Sequence, residues 1–170
     1  MDAHFLILNM KHILSYLLII FTAVTTFAAP SKNDEITWLR EAADSLHSIG
    51  RTDSAVIVGE RALRLANESN DPTQIVGTHA ALGVFLRSLG RIDDALNSYE
   101  KALAIVTSGK FRENPSQESI EEIASLYINL AVLNLDTQHK ELAAKHAEMS
   151  GQWVSKSKDP ELRSTVYGEI

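Results

Sequence analysis

Residues 82–102, LGVFLRSLGRIDDALNSYEKA, decide the fold because their spacing recurs on both sides. The stretch places a small residue at Gly83, a turn at Gly90, and a second set of spaced residues after the turn. That second set also occurs forty residues earlier and forty-eight residues later: Ala55, Gly59 and Ala62; Ala95, Tyr99 and Ala102; and Ala143, Ala147 and Ser150. A pattern that returns at this period is typical of stacked helical hairpins.

The spacing also predicts how each hairpin closes. Residues at i, i+4 and i+7 share one helical face, and small side chains there let two helices approach closely. We therefore expect contacts between Ala43 and Ala55, between Gly83 and Ala95, and between Ala131 and Ala143. Gly50 and Gly90 stand where a first helix should end in a left-handed residue.

The longer second interval predicts a local insertion. Gly, Asn-Pro and Ser between residues 108 and 116 mark a loop. Acidic residues then open a helix that should run from about Gln117 to Asp136. The insertion is therefore a loop plus a lengthened helix, and a tolerated surface insertion is the simplest explanation for it.

The middle copy resembles a tetratricopeptide repeat (TPR), on the residues Leu82-Gly83, Leu86, Gly90-Arg91, Ala95, Tyr99 and Ala102. The outer copies match more weakly, and the final proline of the pattern is missing in all three. The resemblance covers about residues 34–156. It implies an all-α, right-handed superhelix of antiparallel hairpins, with units at about 36–69, 76–108 and 117–156 and the start of a fourth at 159–170.

The composition agrees with a helical domain and restricts the classes of partner that the domain is expected to bind. The chain has 45% hydrophobic and 22% charged residues, four prolines and no cysteine. The formal net charge of −6 is mild. Nucleic-acid binding relies on basic patches, so this charge disfavours it. The absence of cysteine excludes a disulfide framework and a lipid-bearing cysteine.

The amino terminus predicts export through a signal peptide at residues 1–28. Lys11 and His12 precede an apolar run from Ile13 to Phe27, which ends in Ala28-Ala29-Pro30. Cleavage after Ala28 places small residues at both recognition positions. The alternative is an uncleaved anchor, which normally needs about twenty apolar residues. We expect a protein that is periplasmic, or at the extracytoplasmic face of the inner membrane.

The carboxyl-terminal residues predict part of another repeat. Asp159-Pro160 reads as a helix start, and Tyr167-Gly168 stands at the Leu-Gly position of the pattern. Repeat arrays need capped ends, so a first helix without a second one favours a chain that continues beyond Ile170. The alternative is that this helix is itself a short cap.

Motifs for catalysis, cofactors and metals are absent from the sequence. It has no Gly-rich phosphate loop, nucleophile elbow or metalloprotease motif. His139 and His146 are seven residues apart but lack a suitably spaced third ligand for zinc. Adjacent acids such as Glu121-Glu122 point in different directions on a helix, and we interpret them as solvated charge. The sequence thus predicts no enzyme, no cofactor and no metal.

The resemblance implies a ligand groove lined by the first helix of each hairpin. The register places these residues there: Thr37, Arg40, Asp44 and His47; Gly77, Ala80, Val84 and Arg87; and Ser125, Ile128, Val132 and Leu135. The candidate binding residues among them are Arg40, Asp44, His47, Val84, Arg87, Ile128 and Val132. The family's carboxylate clamp is not reproduced, because its asparagines are missing. An alternative for Arg40 is a pair with Asp44, one helical turn away.

These observations predict a non-catalytic scaffold that holds a protein or peptide ligand. An exported array of irregular repeats is similar to the extracytoplasmic input region of bacterial signal-transduction proteins. The alternative is a free-standing periplasmic adaptor of an envelope complex. In both, a membrane is involved only through the signal peptide or a segment beyond Ile170, and this region binds no nucleic acid.

Overall fold

The computed structural model describes residues 31–111 and 113–160, and within these ranges the chain is built from six α-helices without a strand. The helices are α1 (Lys32–Ser48), α2 (Thr52–Ser69), α3 (Pro72–Ser88), α4 (Ile92–Thr107), α5 (Gln117–Asp136) and α6 (Lys140–Val154). The helices pair as α1 with α2, α3 with α4 and α5 with α6. The predicted all-α fold of stacked hairpins is confirmed.

The turns inside the three hairpins share one backbone geometry. Gly50, Gly90 and Gln138 have φ values of 77°, 73° and 67°. The next amide reaches back over the turn in each case; for example, Arg51 N donates to Leu46 O at 2.8 Å. This is the left-handed helix ending expected at the two glycines. Gln138 adopts it without the conformational freedom of glycine.

Side-chain caps begin the two later first helices. The Asp71 carboxylate accepts a hydrogen bond from Thr73 N at 2.9 Å, and Pro72 follows it in the first turn of α3. The Ser116 hydroxyl accepts from Ser119 N at 3.1 Å and caps α5. Helix α5 has 20 residues where α3 has 17, so a loop and a longer helix account for the second interval, as predicted.

Small residues of the repeated pattern lie in the core, though not every contact is the expected one. Ala43, Ala55, Ala95, Ala131 and Ala143 are all buried. At Gly83, however, the atoms nearest to an added Cβ belong to the ring of Tyr99 rather than to Ala95. A side chain at Gly59 would meet Leu82 and Phe85 of the next hairpin. Gly83 therefore leaves room for an aromatic ring of its own hairpin, and Gly59 leaves room for side chains of the next hairpin.

Residues 32–160 belong to one compact unit with a continuous apolar core. Phe85, Ile123 and Leu126 are its large, fully buried aliphatic and aromatic members, together with Tyr99. No helix in the described ranges is long and apolar enough to cross a membrane. The predicted signal peptide and residues 161–170 of the predicted fourth repeat lie outside those ranges.

Candidate functional site

The first helices of the hairpins form the inner layer of the array. Helix α3 packs against both α1 and α5, whereas packing between neighbouring second helices is at most marginal across the described part of the chain. A stacked array curves toward the layer whose helices are closer together. The concave face is therefore built by α1, α3 and α5, the helices that carry the predicted groove residues.

Arg40 does not make the local pair that the sequence favoured as an alternative. Its guanidinium lies 2.5 Å from the Glu122 carboxylate, which comes from α5 two hairpins away. The two side chains are only 20% and 16% exposed. The interpretation of Glu122 as solvated charge is wrong, and the expected pairing of Arg40 with Asp44 is replaced by a contact that crosses the whole middle unit.

Gly77 of α3 makes this crossing possible. A Cβ at this position would fall on the carboxylate of Glu122, so a larger residue would require that carboxylate to move. Burial raises the pKa of Glu122, and the charge of Arg40 opposes that rise. The Nε of Arg40 is buried without a hydrogen-bond partner, so only one edge of the guanidinium is engaged.

Asp44 and His47 occupy different environments at the same end of the layer. Asp44 is exposed, and partial burial raises its pKa against the lowering effect of Arg40 and His47. The His47 ring lies 5.2 Å from the Phe85 ring, and its Nδ1 is 3.0 Å from the Thr52 hydroxyl. His47 is thus held by its own hairpin and its neighbour.

Arg87 is also paired within the protein. Its guanidinium contacts the Asp136 carboxylate of α5 at 2.7 Å. The hydroxyl of Tyr99 is buried nearby; burial raises the pKa of this phenol to about 12, and the charge of Arg87 opposes that rise. Both arginines among the candidate binding residues are therefore paired with carboxylates of the third hairpin.

The third hairpin presents an apolar surface instead. Ile128 and Val132 are half-buried, and Leu135 is 57% exposed. These side chains border an open bay of about 290 Å³, lined also by Ala131, Lys140, Ala143, Ala144 and Ala147. Ile128 packs in addition against the small cluster formed by Ala124 and Val154. We name this surface the apolar bay.

The remaining groove positions contribute little free surface. Gly77 and Ala80 are buried, and Val84 packs against the core cluster. Thr37 and Ser125 are exposed. The predicted residues thus separate into two internally paired arginines and an accessible apolar bay. The sequence did not identify Glu122 and Asp136 as the partners of the two arginines, nor the space at Gly77. The only sign of this arrangement in the sequence was a glycine inside a predicted helix.

The histidines serve packing and polar contacts in the described ranges, where no cluster of three or more metal-ligating side chains occurs. His79 is buried, its Nδ1 lies 3.2 Å from the Ser98 hydroxyl, and burial lowers its pKa to about 4. His146 Nδ1 is 3.2 Å from the Asn134 amide nitrogen, and His139 Nδ1 is 3.0 Å from the Thr137 hydroxyl.

The stacked hairpins and the inner layer formed by their first helices are the architecture of a helical repeat protein. A family model, described as tetratricopeptide repeat, matches residues 78–113. The match spans most of α3 and all of α4, the copy with the clearest pattern. These residues form a repeat of the TPR type, a kind that generally binds protein or peptide partners and is generally non-enzymatic. A comparison with curated proteins finds no match.

Proposed function

We propose that this protein is a non-catalytic scaffold that binds a protein segment along its concave face. The observation that carries the proposal is the apolar bay beside α5, where Val132 and Leu135 remain accessible. Exposed leucines that border a concavity are suited to receive apolar side chains of a partner. The TPR-type repeat at residues 78–113 supports the same class of function.

The charges of the face favour an apolar ligand over a carboxylate. Arg40 and Arg87 would have to release Glu122 and Asp136 before binding a peptide carboxyl terminus. Leaving a mostly buried carboxylate such as Glu122 without its partner is costly. We therefore assign recognition to Val132, Leu135 and the adjoining bay, and we assign the arginines to fixing the helices.

Site-specific photo-crosslinking in the native organism tests this assignment. A photoreactive residue at Val132 should capture a defined partner, and Leu135→Asp should abolish that adduct. A photoreactive residue at Ile57, which is 68% exposed on α2, is the matched control. Equal capture at both positions, or capture that Leu135→Asp leaves unchanged, would contradict binding at the concave face.

We further propose that the scaffold is the extracytoplasmic input region of a longer bacterial signal-transduction protein. The apolar run after Lys11 and His12 supports export. Mass spectrometry of protein expressed in a Gram-negative host should then find a mature amino terminus at Ala29. An intact amino terminus in the membrane fraction would contradict cleavage.

The gene beyond the codon for Ile170 distinguishes this context from the free-standing adaptor. An input region should be followed by more helical sequence and then by about twenty apolar residues that cross the membrane. A stop codon directly after a short polar cap would instead support a periplasmic adaptor. Neither result bears on binding at the concave face, which the photo-crosslinking experiment tests separately.

A further inference from the structure

The outer face of the array has a crevice between each pair of neighbouring second helices. The first crevice lies between α2 and α4 above α3 and measures about 200 Å³. The second crevice lies between α4 and α6 above α5 and measures about 510 Å³. Both are on the face opposite the predicted groove, so neither belongs to the proposed concave site.

The two crevices are built from equivalent positions of the repeat. Adding 40 to the number of an α2 residue, or 48 to that of a residue from 82 to 98, converts most of the first lining into the second. The matched pairs are Val56 and Leu96, Glu60 and Glu100, Leu63 and Leu103, Leu82 and Leu130, Leu86 and Asn134, Arg91 and His139, Asp94 and Leu142, and Ser98 and His146. Their difference in volume therefore comes from side chains and local packing.

An ion pair lines the first crevice and is missing from the second. Arg91 Nε donates to the Asp94 carboxylate at 2.8 Å, and a second guanidinium nitrogen lies 2.7 Å from the same oxygen. At the equivalent positions the second crevice has His139 and Leu142. Because the side chain of Leu142 has no polar group, the second crevice is lined at this position by an aliphatic side chain, where the first is lined by a charged one.

The aliphatic residues at equivalent positions of the two crevices also differ in the fraction of their surface that is exposed to solvent. Val56 in the first crevice is 6% exposed, whereas Leu96 in the second is 40% exposed. Leu142 on the facing helix is 43% exposed. Leu96 and Leu142 thus present apolar surface to solvent above a floor that includes Leu130 and Leu133.

The rim of the second crevice is acidic. Asp93 and Glu100 line it, and neither carboxylate has an ion-pair partner within residues 31–111 and 113–160. The only basic side chains in the described lining are the imidazoles of His139 and His146, which make the hydrogen-bonding contacts given above. An apolar cleft with unpaired carboxylates at its edge complements a ligand that is apolar and positively charged.

We propose that the second crevice is a further protein-binding site, for a segment in which leucine-like side chains are flanked by lysine or arginine. The apolar side chains occupy the cleft between Leu96 and Leu142, and the cations pair with Asp93 and Glu100. The site is separate from the apolar bay, so the array can hold partners on both of its faces.

A repeat swap tests the site with residues that the chain already tolerates. The double variant His139→Arg/Leu142→Asp installs the Arg91–Asp94 pair of the first crevice in the second. The new aspartate lies in the first turn of α6, where an acidic side chain is favourable. The variant should therefore keep its helical content and thermal midpoint, which circular dichroism checks before binding is measured.

The probe is a short synthetic amphipathic peptide of leucine and lysine, with a matched peptide in which glutamate replaces lysine. In ¹H–¹⁵N spectra of the full chain, the lysine peptide should shift the amides of Leu96, Glu100 and Leu142. The double variant should weaken its binding at least about tenfold. Ile57→Asp, which removes an exposed aliphatic residue outside both crevices, should bind the peptide as the wild type does.

Four results would overturn the proposal. The lysine peptide could show no binding, it could bind the double variant as tightly as the wild type, or the glutamate peptide could bind equally well. Shifts confined to Val132 and Leu135 would also overturn it and would assign the peptide to the concave face. Loss of binding in the double variant leaves photo-crosslinking at Val132 unaffected, so the two sites fail independently.

Discussion

Gly77→Ala tests whether the ion pair between α1 and α5 needs an empty space in α3. The added methyl group would occupy the position of the Glu122 carboxylate, which Arg40 holds in place. The carboxylate must then move, and we predict that this movement opens the pair, because α3 is packed between α1 and α5. This substitution changes two contributions to stability that have opposite signs.

The magnitudes decide the net effect. Alanine in place of glycine inside a helix is favourable by about 0.5–1 kcal/mol. An exposed ion pair contributes about 0–1 kcal/mol, and breaking a fully buried one costs about 3–5 kcal/mol. With both side chains about one fifth exposed, we place the cost near 2 kcal/mol. Gly77→Ala should therefore lower the free energy of unfolding by about 1 kcal/mol.

Urea unfolding measures the effect, and the Glu122→Ala background supplies the control. A loss of this size should lower the midpoint by about 0.5 M. When Glu122 is alanine, the space is free and only the helix propensity remains, so Gly77→Ala should stabilise by about 0.5–1 kcal/mol. The reasoning fails if Gly77→Ala stabilises both backgrounds equally.

Two further predictions concern the core and its titration. Ala95, which is fully buried, should not accept leucine without a loss of about 1–3 kcal/mol in chemical denaturation, and a neutral result would contradict the hairpin packing. Because burial lowers the pKa of His79 to about 4, the unfolded state takes up its proton first, and stability should fall from about pH 6.5 to 4 by at most about 1.4 kcal/mol per pH unit. His79→Gln should flatten that slope, whereas parallel pH curves would contradict it.

Local features of the fold could be predicted because they are encoded within one hairpin. Gly50 and Gly90 mark left-handed helix endings, and the alanines of the pattern are buried as expected, except for Ala147, which is partly exposed. Helix α5 also has the predicted bounds, since its cap and loop residues are adjacent in sequence. The left-handed conformation of Gln138 could not be predicted in this way, because glutamine, unlike glycine, has no preference for it.

The electrostatics of the concave face could not be predicted in the same way. Spacing along one helix identified Asp44 as a partner for Arg40, because only local pairs are visible in a sequence. The actual partner, Glu122, becomes a neighbour only after three hairpins stack and Gly77 leaves the path open. The repeat register was enough to place Val132 and Leu135 on a first helix, whereas the ion pairs of the arginines follow only from the packed structure.

The Arg40–Glu122 contact also affects how the array loses its structure. In a simple repeat protein each unit touches only its neighbours, so stability is a sum of unit and nearest-neighbour energies. Here the first unit also holds a charge of the third, which adds an energy between second neighbours. Melting of the first hairpin alone would leave the Glu122 carboxylate without its partner, so end fraying loses an interaction with the third hairpin. The three hairpins should consequently unfold more cooperatively than a simple array, and a middle hairpin with a side chain at the position of Gly77 should weaken this coupling.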